Sequence, residues 1–101
     1  MNKARRKELA KVIRELNTVQ DQEELYSVIS DLENIKDDEQ YSYDNIPENL
    51  QYSTRAEESE MAIGHMESAL DLLNELYGMD EFDKNSELIQ EAIDSIENAR
   101  W

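Results

Sequence analysis

The stretch Tyr41-Ser-Tyr-Asp-Asn-Ile-Pro-Glu-Asn-Leu-Gln-Tyr-Ser-Thr-Arg55 decides the fold, because it separates two long segments whose apolar residues recur three and four positions apart. It contains Pro47, the one proline of the chain, and the residue before a proline is disfavoured in the helical region. Asp44 and Asn45 belong to the residue types that turns favour. The sequence therefore predicts an all-α fold, an antiparallel helical hairpin of the coiled-coil type.

Composition supports this prediction and places the chain in one domain. Of the 101 residues, 39% are hydrophobic and 35% charged, with two glycines, which suits helices better than the frequent turns of a sheet. We expect an outgoing arm over about 2–41, a bend over about 42–54 and a return arm over about 55–100. No apolar run is long enough for a signal peptide or a membrane span, so we expect a cytoplasmic protein.

The outgoing arm contains two apolar stripes that are out of phase. The first stripe consists of Leu9, Val12, Ile13 and Leu16. The second consists of Leu25, Val28, Ile29, Leu32 and Ile35, and it begins two positions away from where the first one would continue. We therefore predict a kink or a short break at about 17–21, where Asp21 and Glu24 resemble a capping box.

The return arm also contains a break. Its stripe steps by three and four positions through Ile63, Met66, Leu70, Leu73 and Tyr77. Gly78 is predicted to end this helix in the left-handed conformation, and a break is expected at about 78–85. Asn85 or Ser86 then caps a final helix, which buries Leu88, Ile89, Ala92, Ile93 and Ile96. Phe82 and Trp101 are either core residues or exposed anchors.

The two breaks lie at the same level if positions in the two arms pair with a constant sum near 97. Two arrangements satisfy this condition: a bent hairpin, or four helices that close into a bundle. A bare two-helix hairpin would bury each apolar stripe on one side only, so the first arrangement requires a partner helix or self-association.

Residues at the bend and one internal glycine each have two interpretations. We expect Ile46, Leu50 and Tyr52 to fold over the open end of the hairpin, with Ser53 or Thr54 as the cap of the return helix. The tyrosines at the bend either pack there or contact a partner; they are Tyr41, Tyr43 and Tyr52. Gly64 lies inside the predicted return helix. It indicates either close packing against the outgoing arm near Glu33 or the close approach of a partner.

Charge is the strongest feature of the composition. The net charge is −15, and it is divided unevenly between +4 in residues 1–15 and −19 in the remainder. Such a surface repels nucleic acid and membranes and attracts basic surfaces. The basic residues near the start either pair with the acidic return arm, which we favour, or contact an external partner.

The residues do not predict an enzyme, a cofactor or a metal site. With no cysteine and a single histidine, His65, the chain cannot build an ordinary zinc site. The acidic segment 80–87 lacks the glycine that a calcium-binding EF-hand loop requires. No nucleophile elbow and no glycine-rich phosphate loop is present.

Several segments resemble a family of small acidic proteins from phages and mobile elements of Firmicutes. They are Arg5-Arg-Lys-Glu-Leu-Ala-Lys-Val-Ile-Arg-Glu-Leu16, Asp31-Leu-Glu-Asn-Ile-Lys-Asp-Asp-Glu-Gln40, Asp44-Asn-Ile-Pro-Glu-Asn-Leu-Gln51 and, in the return arm, Ala56-Glu-Glu with Ala62-Ile. The resemblance covers most of the chain, and the segment around Pro47 is its most specific part. The chain departs from it by extra residues at about 17–30 and 74–87. The resemblance implies a phage or mobile-element setting, and it supplies no catalytic residue.

Three functions follow as hypotheses. In the first, rows of carboxylates imitate the phosphates of DNA and block a basic, nucleic-acid-binding host protein, such as a restriction or CRISPR nuclease. In the second, the protein is structural and self-associates, for example as a homodimer, through Leu72, Leu76 and Ile89. The third, a nucleic-acid binder that uses the basic N-terminal segment, is the weakest because the rest of the chain opposes it.

The first hypothesis assigns partner contacts to both arms and the bend, and it expects no direct contact with nucleic acid or membrane. The candidate contact residues are Asp31, Glu33, Asp37, Asp38, Glu39, Tyr41, Tyr43, Glu57, Glu58, Glu60, Glu67 and Asp71.

Overall fold

A computed structural model describes residues 1–100 of the chain. These residues form four α-helices and one short 3₁₀ turn, with no β-strand among them. The predicted all-α fold is confirmed. The helices are α1 (Lys3–Thr18), α2 (Gln22–Asp44), α3 (Thr54–Tyr77) and α4 (Glu87–Ala99), and the 3₁₀ turn covers Glu48–Leu50. Trp101, which we placed either in the core or on the surface, lies outside the described residues.

The helices form an antiparallel four-helix bundle, which decides between the two predicted arrangements. Contacts join α1 to α2, α2 to α3, α3 to α4 and α4 back to α1. Arg5 near the start of α1 bonds to Glu39 near the end of α2, and Glu39 bonds in turn to Ser59 near the start of α3. α2 therefore runs against both α1 and α3, and the bundle measures 48 × 22 × 18 Å.

Both predicted breaks exist, and each is followed by a side-chain cap. α1 ends at Thr18, and the Asp21 carboxylate accepts a hydrogen bond of 2.8 Å from the backbone N–H of Glu24 at the start of α2. Ser86 caps α4 in the same manner, with its hydroxyl accepting from the N–H of Leu88. The left-handed conformation predicted for Gly78 is wrong, because its φ of −77° is right-handed and its N–H bonds to Asn74 as in a continuing helix.

The bend begins later than predicted and does not cover the end of the bundle. α2 continues to Asp44, and Ser53 caps α3. Ile46 is half-buried, but Leu50 and Tyr52 are exposed, against expectation. The start of α1 closes this end instead, since Met1 packs against the core and Arg5 reaches Glu39.

The core is a single cluster to which all four helices contribute. The stripe of α1 is buried as predicted, and the return stripe is buried up to Leu73. Tyr77, the last residue of that stripe, is 41% exposed, whereas Leu76 beside it is fully buried. Ile89 is also buried, and Leu72 and Phe82 lie at the rim of the core. Among residues 1–100, no helix is long and apolar enough to cross a membrane.

Gly64 does not pack closely against α2, and the first interpretation of this glycine is wrong. It lies on an exposed face of α3, where an added Cβ would meet no atom within 4 Å. Glycine in a helix interior costs up to about 1 kcal/mol relative to alanine. We therefore expect Gly64→Ala to raise the free energy of unfolding by about 0.5–1 kcal/mol in urea denaturation. A lower denaturation midpoint would show that this backbone position is more crowded than the structure indicates.

Candidate functional site

Charge differs sharply between α1 and the other helices. α1 carries six basic and two acidic side chains, a net charge of +4. The net charges of α2, α3 and α4 are −7, −5 and −4. Because α1 contacts α2 and α4, the remaining helix, α3, lies diagonally across the bundle from it. The bundle therefore has one basic edge and a broad acidic side.

The basic edge is a stripe of exposed side chains along α1. Its members are spaced three or four residues apart and lie on the face opposite the core; they are Lys3, Lys7, Lys11 and Arg14. Within residues 1–100, none of these four forms an ion pair. The expected pairing with the return arm is therefore wrong. α1 folds back along α2, so its one ion-paired side chain, Arg5, contacts the outgoing arm instead.

The acidic side contains a groove between α2 and α3 of about 440 Å³. Four of the predicted contact residues meet there: Glu33 and Asp37 from α2, and Glu67 and Asp71 from α3. In each helix the two carboxylates are four residues apart and therefore share a face. Leu70, Asn74 and Lys36 complete the lining. The Lys36 ammonium lies 3.6 Å from the Asp37 carboxylate, which leaves three of the four groove carboxylates without an ion pair among residues 1–100.

The other predicted contact residues are dispersed. Asp31 faces a separate groove, between α1 and α2, together with Lys11 and Glu15. Glu58 lines a cavity of about 340 Å³ at the bend end of the bundle. Tyr43 is half-buried, and the remainder are exposed on α2 or α3; these are Asp38, Tyr41, Glu57 and Glu60.

Glu39 is not a surface residue, and its assignment as a partner contact is wrong. It is 2% exposed and accepts a hydrogen bond of 2.9 Å from the Arg5 guanidinium. The Ser59 hydroxyl donates to its other oxygen, and the amino group of Met1 lies 3.7 Å away. Glu39 follows Ile35 by four positions and so continues the apolar stripe of α2. This four-residue step from Ile35 was the signal in the sequence that the Glu39 side chain points inward.

The sequence did not identify an exposed apolar patch at the other end of the groove. It consists of Tyr26 and Tyr77, on neighbouring helices, and of Met79, which follows Tyr77 by two residues; they are 57%, 41% and 43% exposed. The ring centroids of Tyr26 and Tyr77 are 5.8 Å apart, at an interplanar angle of 43°. We call these three residues the aromatic patch. Tyr26 directly follows buried Leu25 and is out of phase with the stripe, which is the signal that could have revealed it.

The side chains that could bind a metal ion are dispersed over residues 1–100. His65 is half-buried on α3. No group of three or more His, Asp or Glu side chains within residues 1–100 is placed to hold a metal ion. The groove can present carboxylates to cations carried by a partner. No protein-family model, curated protein or solved structure matches the chain.

Proposed function

We propose that this protein binds a basic, nucleic-acid-binding surface of another protein through the groove between α2 and α3, and blocks it. The observation that carries the proposal is the convergence of four carboxylates from two antiparallel helices in one groove, on the side of the bundle away from the basic stripe. The resemblance to proteins of phages and mobile elements favours an anti-defence role. The partner would then be a host nuclease of a restriction or CRISPR system, met in the cytoplasm of the host cell.

The density of charge supports imitation of a nucleic acid. Besides buried Glu39, α2 and α3 carry thirteen carboxylates. Each of these helices is about 36 Å long at about 1.5 Å per residue, so the pair carries about one carboxylate per 3 Å of length, counted around the whole circumference of both helices. Duplex DNA carries one per about 1.7 Å of its axis. The two densities agree within about a factor of two.

Self-association is less well supported. Of the three residues to which we assigned it, Leu76 and Ile89 belong to the core of the bundle, and Leu72 is half-buried. A second copy would also bring a second net charge of −15 close to the first. Repulsion between like charges opposes such a contact, most strongly at low ionic strength.

Reversing the charge of the groove is the sharpest test. The variant carries Glu33→Lys, Asp37→Lys, Glu67→Lys and Asp71→Lys, four exposed positions. Each lost ion pair is worth up to about 1 kcal/mol, and repulsion adds to the loss, so we expect partner affinity to fall at least about a hundredfold. The partner is first captured from host lysate at about 0.1 M salt and released at about 1 M. The dissociation constant of the partner is then measured for the unchanged protein, for this variant and for the control variant described next, each at several salt concentrations.

A matched control separates the groove from net charge. It carries the same number of reversals on exposed residues outside the groove: Asp80→Lys, Glu87→Lys, Glu91→Lys and Asp94→Lys. We expect this control to retain most of the affinity. An equal loss in both variants, or an affinity that salt does not change, would refute a specific groove. Circular dichroism of each variant verifies that the bundle is intact.

A further inference from the structure

We infer that the aromatic patch of Tyr26, Tyr77 and Met79 is the anchor of the docking face and that it receives an arginine side chain on a basic helix of the partner. This inference rests on the proposed function and adds to it the residue type and the secondary structure of the partner. Exposed aromatic residues of a docking face are the residues in which binding energy most often concentrates. Two of the three patch members are tyrosines that contact each other across two helices.

The patch is held in place by backbone contacts and does not depend on a partner to form. The Gln22 side-chain amide donates hydrogen bonds of 3.2 Å to the backbone carbonyls of Tyr77 and Met79. The N–H of Gly78 bonds to the carbonyl of Asn74 and closes the last turn of α3, and the Gln22 bonds join this end of α3 to the start of α2. The backbone of Tyr77 is therefore fixed before binding, and a tyrosine side chain has only two torsions to order, which favours its use as an anchor.

The patch continues the acidic groove. Tyr26 precedes Glu33 by seven residues and therefore lies on the same face of α2, about 10 Å along its axis. Tyr77 follows Asn74, a residue of the groove, by less than one turn of α3. From Tyr26 to Asp37 the face is about 16 Å long, which is the length of about eleven residues of helix. A partner helix of three turns spans the whole face.

Arginine is the side chain that suits both parts of this face. Its guanidinium stacks on the face of a tyrosine ring and forms paired hydrogen bonds with carboxylates, whereas the lysine ammonium does neither as well. Arginines spaced three and four residues apart on a helix would place one on the patch and the others over the groove. An apolar partner would instead set apolar groups against the groove carboxylates. A second copy of this chain would offer the basic stripe of α1, but three of its four residues are lysines, and the net charge of −15 on each copy opposes their approach.

The test uses two synthetic peptides in place of the unknown partner. Both are alanine-based helices of roughly 20 residues; one carries four arginines at three- and four-residue spacing, and the other has lysine at the same positions. We expect the arginine peptide to bind about two- to fivefold more tightly in calorimetry at low salt. We expect the double variant Tyr26→Ala, Tyr77→Ala to lose most of this preference, because only the paired hydrogen bonds to the groove carboxylates then favour arginine.

Two control variants identify the cause of any change. Tyr26→Phe with Tyr77→Phe retains the ring faces and should retain the preference for arginine. Tyr52→Ala removes a tyrosine that is 93% exposed at the bend, far from the patch, and should change nothing. Thermal unfolding of each variant shows that the bundle has not been lost.

The outcomes separate this inference from the proposed function. Equal affinity for both peptides in the unchanged protein, or a preference that is undiminished in the alanine variant, overturns the arginine anchor while groove binding stands. Failure of both peptides to bind overturns the anchor too, and the proposed function is then judged by the captured partner alone. If the alanine variant changes the sedimentation mass of the free protein, the patch is a contact between copies and the inference is wrong.

Discussion

We expect the replacement of Arg5 by alanine to lower the free energy of unfolding by about 3 kcal/mol. The reason is the burial of Glu39, which is 2% exposed and loses a guanidinium 2.9 Å away. Breaking a buried ion pair from one side typically costs about 3–5 kcal/mol, because an uncompensated charge remains. The lower end applies here, since the Ser59 hydroxyl and the amino group of Met1 still contact the carboxylate. Domains of this size are stable by about 5–15 kcal/mol in total, so the loss is large.

Urea denaturation measures this effect, and two further variants show its origin. Arg6→Ala removes the neighbouring, exposed arginine and should change the unfolding free energy by at most about 0.5 kcal/mol. The double variant Arg5→Met, Glu39→Leu replaces the whole pair by apolar side chains, which is often neutral or stabilising. We expect it to recover only part of the loss, because the Ser59 hydroxyl and the amino group of Met1 lose the carboxylate that accepts from them. If Arg5→Ala alone is as stable as the unchanged protein, Glu39 is solvated and α1 is not held as described.

The parts of the fold that depend on local sequence could be predicted. Pro47 interrupts the helical pattern whatever tertiary structure follows, and the change of phase after Leu16 requires a break whether or not α1 folds back. The caps are local as well, since Asp21, Ser53 and Ser86 each bond to backbone two or three residues away. These features therefore follow from the sequence without knowledge of tertiary contacts.

The direction in which each arm turns at its break could not be predicted. A break permits either a bend or a reversal of the chain. The choice depends on whether α1 and α4 bury more apolar surface by folding back into one bundle than by remaining extended or by contacting a partner. The reversal of α1 brings Arg5 to Glu39, and it places Met1 against the core at the bend end of the bundle. The exposure of Leu50 and Tyr52 is a consequence of the same event.

The acidic groove could be predicted in part. Twenty-five acidic residues offer many sets, and helical phase selects among them only when the neighbouring helices are known. Asp31 and Glu33 are two residues apart and therefore lie about 200° apart around α2, so one faces α1 and the other faces α3. In a simple hairpin α1 does not lie beside α2, so that prediction gives no reason to assign Asp31 and Glu33 to different grooves.

The aromatic patch illustrates a second limit of the sequence. Tyr77 continues the heptad stripe of the return arm, and by that pattern it is a core residue. α3 ends there, however, and the chain turns away through Gly78 before it can cover the ring. Tyr26 meets it from α2 only because the two helices have this register. The patch therefore results from the position of a helix end, which periodicity does not encode.

Replacing Leu76 by alanine should destabilise the bundle by about 3 kcal/mol without changing its oligomeric state. Leu76 is fully buried in the core cluster near the end of α3. Truncating a buried leucine to alanine costs about 2–5 kcal/mol, depending on how far the surrounding side chains fill the cavity. The effect should appear in the denaturation midpoint. Sedimentation in the same buffer, well below the unfolding transition, should give the mass of the unchanged protein.

Leu72 provides the matched control on the same helix, because it has the same side chain one turn earlier and is only half-buried at the rim of the core. We expect Leu72→Ala to cost about 1 kcal/mol, since less apolar area returns to water and little cavity forms. The two substitutions also discriminate between a core and an interface between copies. If Leu76→Ala lowers the sedimentation mass and leaves the unfolding free energy within about 0.5 kcal/mol, Leu76 belongs to such an interface. Self-association would then replace the acidic groove as the basis of function.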